Sequence, residues 1–229
     1  MKTTVKAIKA VGASSKWRRA RRPEQKQVRK EAILSAARDL VDTEGVERTT
    51  LSSIARRADL SKANCYRYFE NREAILLQVV LEETRDWTGA IVDGLAGLTD
   101  NGNVEVVSEL LVRETLERPR LCELVSSMWT VLEQNVSEKV LADFKHEFRK
   151  TASQWTTILT EVLPSLSEEQ AKQFSRFFLL FIASAWPASK LSPVIEKLMM
   201  REEFAGMKMD LETTLHTHSL TLLKGLLTS

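Results

Sequence analysis

Cysteine is nearly missing from this chain: 229 residues hold two, Cys65 and Cys122, and no CxxC pair. That excludes a disulfide framework or a cysteine zinc site and suits a reducing cytoplasm. Glycine and proline are scarce as well, at eight and five residues. So few turn formers exclude a succession of short strands and favour long helices. No apolar run is long enough to span a bilayer. The longest, 177–186, has ten residues and reads as a buried helix, so no membrane partner is expected. The first residues lack an apolar core of about seven, which leaves no legible secretory signal. Phosphate loops, nucleophile elbows and zinc-protease motifs are missing too. No enzyme, catalytic residue, cofactor or metal is expected.

What is present is charge, unevenly spread. Residues 1–70 hold 17 Lys and Arg against 8 Asp and Glu, whereas residues 71–229 hold 16 against 23. A basic front and an acidic rear point to a polyanionic partner for the front alone. Residues 1–22 carry eight cations and no acid, which reads as a flexible basic arm; a transit peptide shares that composition. Pro23 and Glu24 then suit the first turn of a helix, and Gly45 its end. Thr50 and Ser61 cap two short helices, 51–58 and 62–69, joined by a turn at Asp59-Leu60. Asn71 caps a long helix over 72–96, and 100–103 is a break. Further helices are expected at 104–117, 120–134, 137–163, 167–186, 193–203 and 209–227. Ser167 and Gln170 stand at capping-box spacing, and Pro187 and Pro193 bracket a loop. The fold class is all-α: a basic arm (1–22), a three-helix domain that ends in the two short helices (23–70), and a helical-bundle domain (71–229).

The two short helices carry the function. Ile54, Ala55, Leu60 and Phe69 can pack inward, while Lys62, Asn64, Arg67 and Tyr68 cannot all be buried. The second helix therefore shows a polar face of a size that fits the major groove. With Thr50, Ile54, Ala55, Ala58, Ser61, Tyr66, Tyr68, Phe69 and Leu76 at these spacings, residues 24–75 resemble the DNA-binding domain of the tetracycline-repressor (TetR) family. Three positions depart from that pattern. Asp59 stands for a turn glycine, at a position that needs positive φ and that Asp tolerates better than most residues. Ala63 replaces a second glycine, and Arg72 replaces a lysine.

Resemblance and chemistry together name the candidates. The hydroxyls of Thr50, Ser52 and Ser61 suit phosphates, as do the free amides at Ser61. Lys62, Asn64 and Arg67 suit base edges. Tyr66 and Tyr68 suit the backbone, and Arg72 a phosphate near the first turn of the next helix. The partner is a double-stranded DNA operator. The resemblance also implies a homodimer through the last two long helices, with Phe174, Phe177, Phe178, Leu220, Leu223 and Leu227 at the interface. It further implies a small-molecule effector between helices, where Trp87, Met128, Trp129, Phe144, Phe148, Trp155 and Phe181 are candidate lining and equally candidate core. Asp143, His146 and Glu147 share a helix face that reads as solvated charge rather than a metal site. His216 and His218 stand two apart and cannot chelate together. The leading reading is a cytoplasmic repressor released by its effector. A DNA-binding nucleoid or cell-division factor of the same fold, without an effector, stays open; a sizeable internal pocket separates the two. An enzyme built on a helical bundle would show paired acid and base groups in a polar cleft.

Overall fold

The computed structural model of the chain describes the backbone of residues 13–97 and 103–228, with side chains from residue 24 on, Ala205 apart. Eleven α-helices and no strand are found among the described residues: α1 Ala13–Glu44, α2 Leu51–Arg57, α3 Lys62–Cys65, α4 Arg72–Ala96, α5 Val104–Leu116, α6 Pro119–Ser127, α7 Glu138–Val162, α8 Glu168–Ser189, α9 Pro193–Met199, α10 Glu202–Ala205 and α11 Leu211–Leu227. A π-helical turn, Met128–Leu132, and a 3-10 turn, Glu133–Asn135, continue α6 toward α7.

Polar caps set most of the starts. Asn71 Oδ1 accepts from Ala74 N at 2.8 Å at the head of α4, and Ser167 and Gln170 close a reciprocal box on α8. Gly45, at φ +80°, ends α1 in the left-handed conformation that glycine adopts without strain. Four sequence expectations change. α1 starts ten residues before Pro23, so the basic segment is already helical from residue 13 and the proline lies inside the helix rather than in its first turn. The rest of the expected arm, 1–12, lies outside the described residues, as does most of the break at 100–103. Helix α3 is a single turn and gives way to turns after Cys65. Pro187 lies inside α8, so the loop before Pro193 is shorter than expected. The span 193–203 is broken into α9 and α10.

Two apolar cores result. The first joins α1, α2 and α3 to the front of α4 and to Leu124, Met128, Leu132 and Phe144. The second joins the rear of α4 to α5, α6, α7, α8 and α11. The change from one to the other falls inside α4, between Leu81 and Trp87. Helix α4 is therefore common to both, and its 25 residues make a rod about 37 Å long.

Candidate nucleic-acid interface

Helices α2 and α3 are held by local bonds that leave their outer faces free. Thr50 Oγ1 accepts from Ser53 N at 3.1 Å, and Ser53 Oγ accepts from Thr50 N at 2.9 Å. The turn that follows runs through Asp59 at φ 54°, in the left-handed conformation expected for this position. Leu60 N donates to Ala55 O at 2.9 Å and closes that turn. Ser61 Oγ then accepts from Asn64 N at 3.2 Å and starts α3. Cys65 and Phe69 anchor α3 in the first core, and burial raises the Cys65 thiol, leaving it a packed apolar group.

The outer face carries what the sequence suggested. Thr50, Ser52, Ser61, Lys62, Tyr66 and Arg67 are exposed, with Tyr66 at 59%. Asn64 and Tyr68 are half-buried, and Tyr68 also packs against the first core. No ion pair engages Lys62 or Arg67 among the described residues. A cation without a carboxylate partner beside exposed hydroxyls and aromatics is the arrangement that meets phosphate and base edges.

Arg72 is the exception. Its Nη1 donates to Thr49 O at 2.8 Å and to Val46 O at 3.3 Å, and its Nε to Glu73 Oε1 at 3.0 Å. It ties the loop before α2 to the head of α4 and is not a free phosphate ligand. Its partners are carbonyls 23 and 26 residues away, which no local pattern reveals. Sequence reasoning also passed over Arg56, an exposed residue on α2 with no ion pair among the described residues. It stands one helical turn after Ser52, on the same face, and that spacing was the available signal.

The aromatic candidates for an effector pocket are largely core. Trp87 and Trp155 are each 1% exposed and meet edge-on at 5.5 Å. Trp87 also stacks with Phe178 at 6.5 Å, and Phe178 with Phe174 at 5.6 Å. The Trp87 indole donates to Thr115 Oγ1 at 3.2 Å, which satisfies its one polar atom. Met128 and Phe144 are buried in the first core, and Trp129 and Phe148 are packed against both.

The candidates for the dimer face divide. Phe174, Phe178 and Leu223 are fully buried inside the chain, so they are core and not interface. Phe177 and Leu180 on α8 are exposed, at 39% and 47%, and Leu220 and Leu227 on α11 are half-buried. A groove of about 930 Å³ runs between α8 and α11, lined by Phe177, Phe181, His218 and Leu222 among others. The His218 ring stacks on Phe181 at 3.7 Å. Burial holds its imidazole below the ordinary value, against a hydrogen bond to the Phe177 backbone that works the other way. On α7, Asp143 and Glu147 pair with Lys139 and Lys150, as a solvated charged face does.

The comparisons with known proteins agree with this geometry. Residues 33–79 match the family described as "Bacterial regulatory proteins, tetR family", and residues 81–229 match "Tetracyclin repressor-like, C-terminal domain". The chain belongs to the TetR family. It is thus a member of a family of DNA-binding transcriptional regulators with a helix-turn-helix. A Bacillus subtilis (strain 168) relative, the uncharacterized HTH-type transcriptional regulator YdeS, is 40% identical over 55 residues. Those residues are 24% of this chain and 28% of YdeS, so the chain matches under a third of that relative's length. Among solved structures, Thermus thermophilus FadR, a TetR-family repressor in complex with lauroyl-CoA, shares the fold at TM-score 0.58 and 20% identity, over 86% of this chain and 94% of that one. A TetR-family regulator from Streptomyces coelicolor does so at TM-score 0.56 and 16% identity, over 86% and 99%. No single helix among the described residues is long and apolar enough to cross a membrane.

Proposed function

We propose that the protein is a dimeric repressor of the cytoplasm that reads a DNA operator through α3 and is released by a small-molecule effector. The observation that carries the DNA reading is the exposed face of α2 and α3, where Arg56, Lys62 and Arg67 stand without acidic partners among the described residues, beside Ser52, Ser61 and Tyr66. Lys62, Asn64 and Arg67 read base edges. The hydroxyls of Thr50, Ser52 and Ser61, with Tyr66 and Tyr68, hold the backbone. The groove between α8 and α11, with Phe177 and Leu180 open beside it, supports a homodimer in which those helices meet their mates as a four-helix bundle. The basic residues of segment 1–22 add affinity that does not depend on base sequence.

The effector reading is supported by the FadR neighbour, whose bound lauroyl-CoA makes a long apolar thioester the first compound to test. One observation favours the alternative without an effector: Trp87, Trp155, Phe174 and Phe178 fill the second core against one another. A ligand there must first open that stack.

Selection from a random duplex pool tests the DNA reading. An inverted repeat should emerge, with half-sites spaced for a two-fold dimer. No enrichment over random duplex would sink it. Thermal unfolding with and without lauroyl-CoA, followed by titration against the selected duplex, separates the two regulatory readings. A raised midpoint together with DNA release supports an effector, and neither effect supports the alternative.

A further inference from the structure

Helix α6 is an element against which both α1 and α8 pack, and its first turns carry two charged side chains, Arg120 and Glu123, that line one cleft with residues of both. Arg120 makes a fork on Asp42 of α1, with Nε donating to Oδ1 at 2.8 Å and Nη2 to Oδ2 at 2.6 Å. Its Nη1 donates to Glu83 Oε1 of α4 at 2.6 Å. One turn later, Glu123 Oε2 accepts from the indole nitrogen of Trp186, in the last turns of α8, at 3.0 Å. The other oxygen, Oε1, accepts from the backbone N–H of Val46 at 3.4 Å, in the turn that leads into α2. Gly45, next in the same turn, lies beside that carboxylate, and a Cβ there would stand in ordinary contact with it at 3.4 Å.

These contacts are built in a way that simple surface pairing is not. Trp186 is 7% exposed, so its indole donor has little water to turn to, and losing an acceptor for it is costly. Lys190 Nζ lies 3.9 Å over the same ring and adds a cation–π contact to its face. The Arg120 fork is planar and bidentate, which fixes orientation as well as distance. The side chain of Glu83 is 13% exposed, so that arm of Arg120 is less screened than the one to Asp42. A single carboxylate therefore joins the turn ahead of the DNA-reading helices to a tryptophan 140 residues away, and Arg120 anchors the helix that carries it.

We propose that Glu123 is the link through which α8 and the turn before α2 sense one another, with Arg120 as the anchor that keeps α6 in place for it. A shift at the end of α8 then changes the freedom of the loop that carries Thr49 and Thr50, and DNA held by α2 and α3 changes the end of α8 by the same factor. This rests on the proposed regulator reading in one respect only: that motion of α8 matters to DNA. The link itself can be tested without DNA or effector.

The Val46 amide is the reporter, because its hydrogen is the one that Glu123 accepts. Hydrogen exchange of the full chain should show Trp186→Phe, which removes the indole donor and keeps an aromatic ring, speeding exchange over residues 45–49 about fivefold or more. In a Glu123→Gln background the same Trp186→Phe change should have under about a twofold effect there, since the link is already cut. Arg120→Lys keeps the charge but not the fork, and should shrink the cross-effect without removing α6 from its place. Asp143→Asn, which breaks an exposed pair on α7, should leave it intact. The proposal is overturned if Trp186→Phe leaves residues 45–49 unchanged, or changes them equally with and without Glu123. Acceleration spread evenly over both cores overturns it too, as plain loss of stability. The duplex selection above judges the regulator reading separately, so the two can fail apart.

Discussion

The two cores of this chain are filled by different means. The first is mostly aliphatic, with Ile33, Leu34, Leu40, Ile54, Ile75 and Val79 closed around two short helices and the head of α4, whose starts are set by Thr50, Ser61 and Asn71. The second turns on a contiguous aromatic group, Trp87, Trp155, Phe174 and Phe178, drawn from three long helices. Local bonds over three or four residues specify the first. Contacts across 19 to 91 positions of sequence specify the second, and each aromatic pair adds about 0.5–1.5 kcal/mol beyond the area it buries. A motif held by its own caps can keep its outer face for a partner. A domain held by distant side chains has its interior already in use.

The strongest break of that contrast is a phenylalanine pair on α8. Phe174→Ala should cost about 3–5 kcal/mol in urea unfolding, because it opens a cavity among rings that cannot collapse together. Phe177→Ala, three residues on, should cost far less in stability and act on self-association instead. The reverse order would mean that α8 turns its other face inward. At the other core, Asn64→Ala should lower affinity for the selected duplex by about 1–3 kcal/mol relative to random duplex, and move stability by no more than about 0.5. Equal losses on both DNAs in a titration would remove Asn64 from base reading. Asp59→Gly should stabilise the first core by about 1 kcal/mol or less, as the left-handed φ of 54° suits glycine, whereas Asp59→Val should destabilise it. Denaturation midpoints decide, and a neutral valine would show the turn can relax.

The smallest effect is a pH dependence of the α8–α11 groove. Burial depresses the His218 imidazole, so the folded chain holds the uncharged ring. Its contribution is complete above the unfolded value near 6.5 and is lost as pH falls below it toward the folded value. The urea midpoint should fall as pH drops below about 6.5, and His218→Gln should flatten that profile. An unchanged slope in the variant would assign the titration elsewhere.

The same contrast decides what could be read in advance. The bounds of α4 were legible because Asn71 is a strong cap, and the positive φ at Asp59 because the family resemblance places a turn glycine there. The face of α8 was not legible. Phe174, Phe178 and Ile182 form one helical stripe, and Phe177, Leu180 and Phe181 form another, and both are apolar. Only packing against α6, α7 and α11 selects the first for the interior. Arg72 escaped for a related reason. Its charge and position suit a phosphate, but the carbonyls that take its hydrogens come from the other side of the helix-turn-helix.

Helix α3 is four residues long, about 6 Å of helix, and this bounds how much one copy of the chain can know about a DNA sequence. On the proposed reading, Lys62 and Asn64 of α3 with Arg67 just after it fix about three base pairs, a pattern that recurs roughly once in 64 positions. Two copies acting together raise that to about one in 4,000, still far short of the roughly 10⁶ or more competing positions in a genome. The missing discrimination has to come from parts that touch no base edge, such as the cost of shaping the duplex between two half-sites. A reading head this short makes its own spacing part of the address.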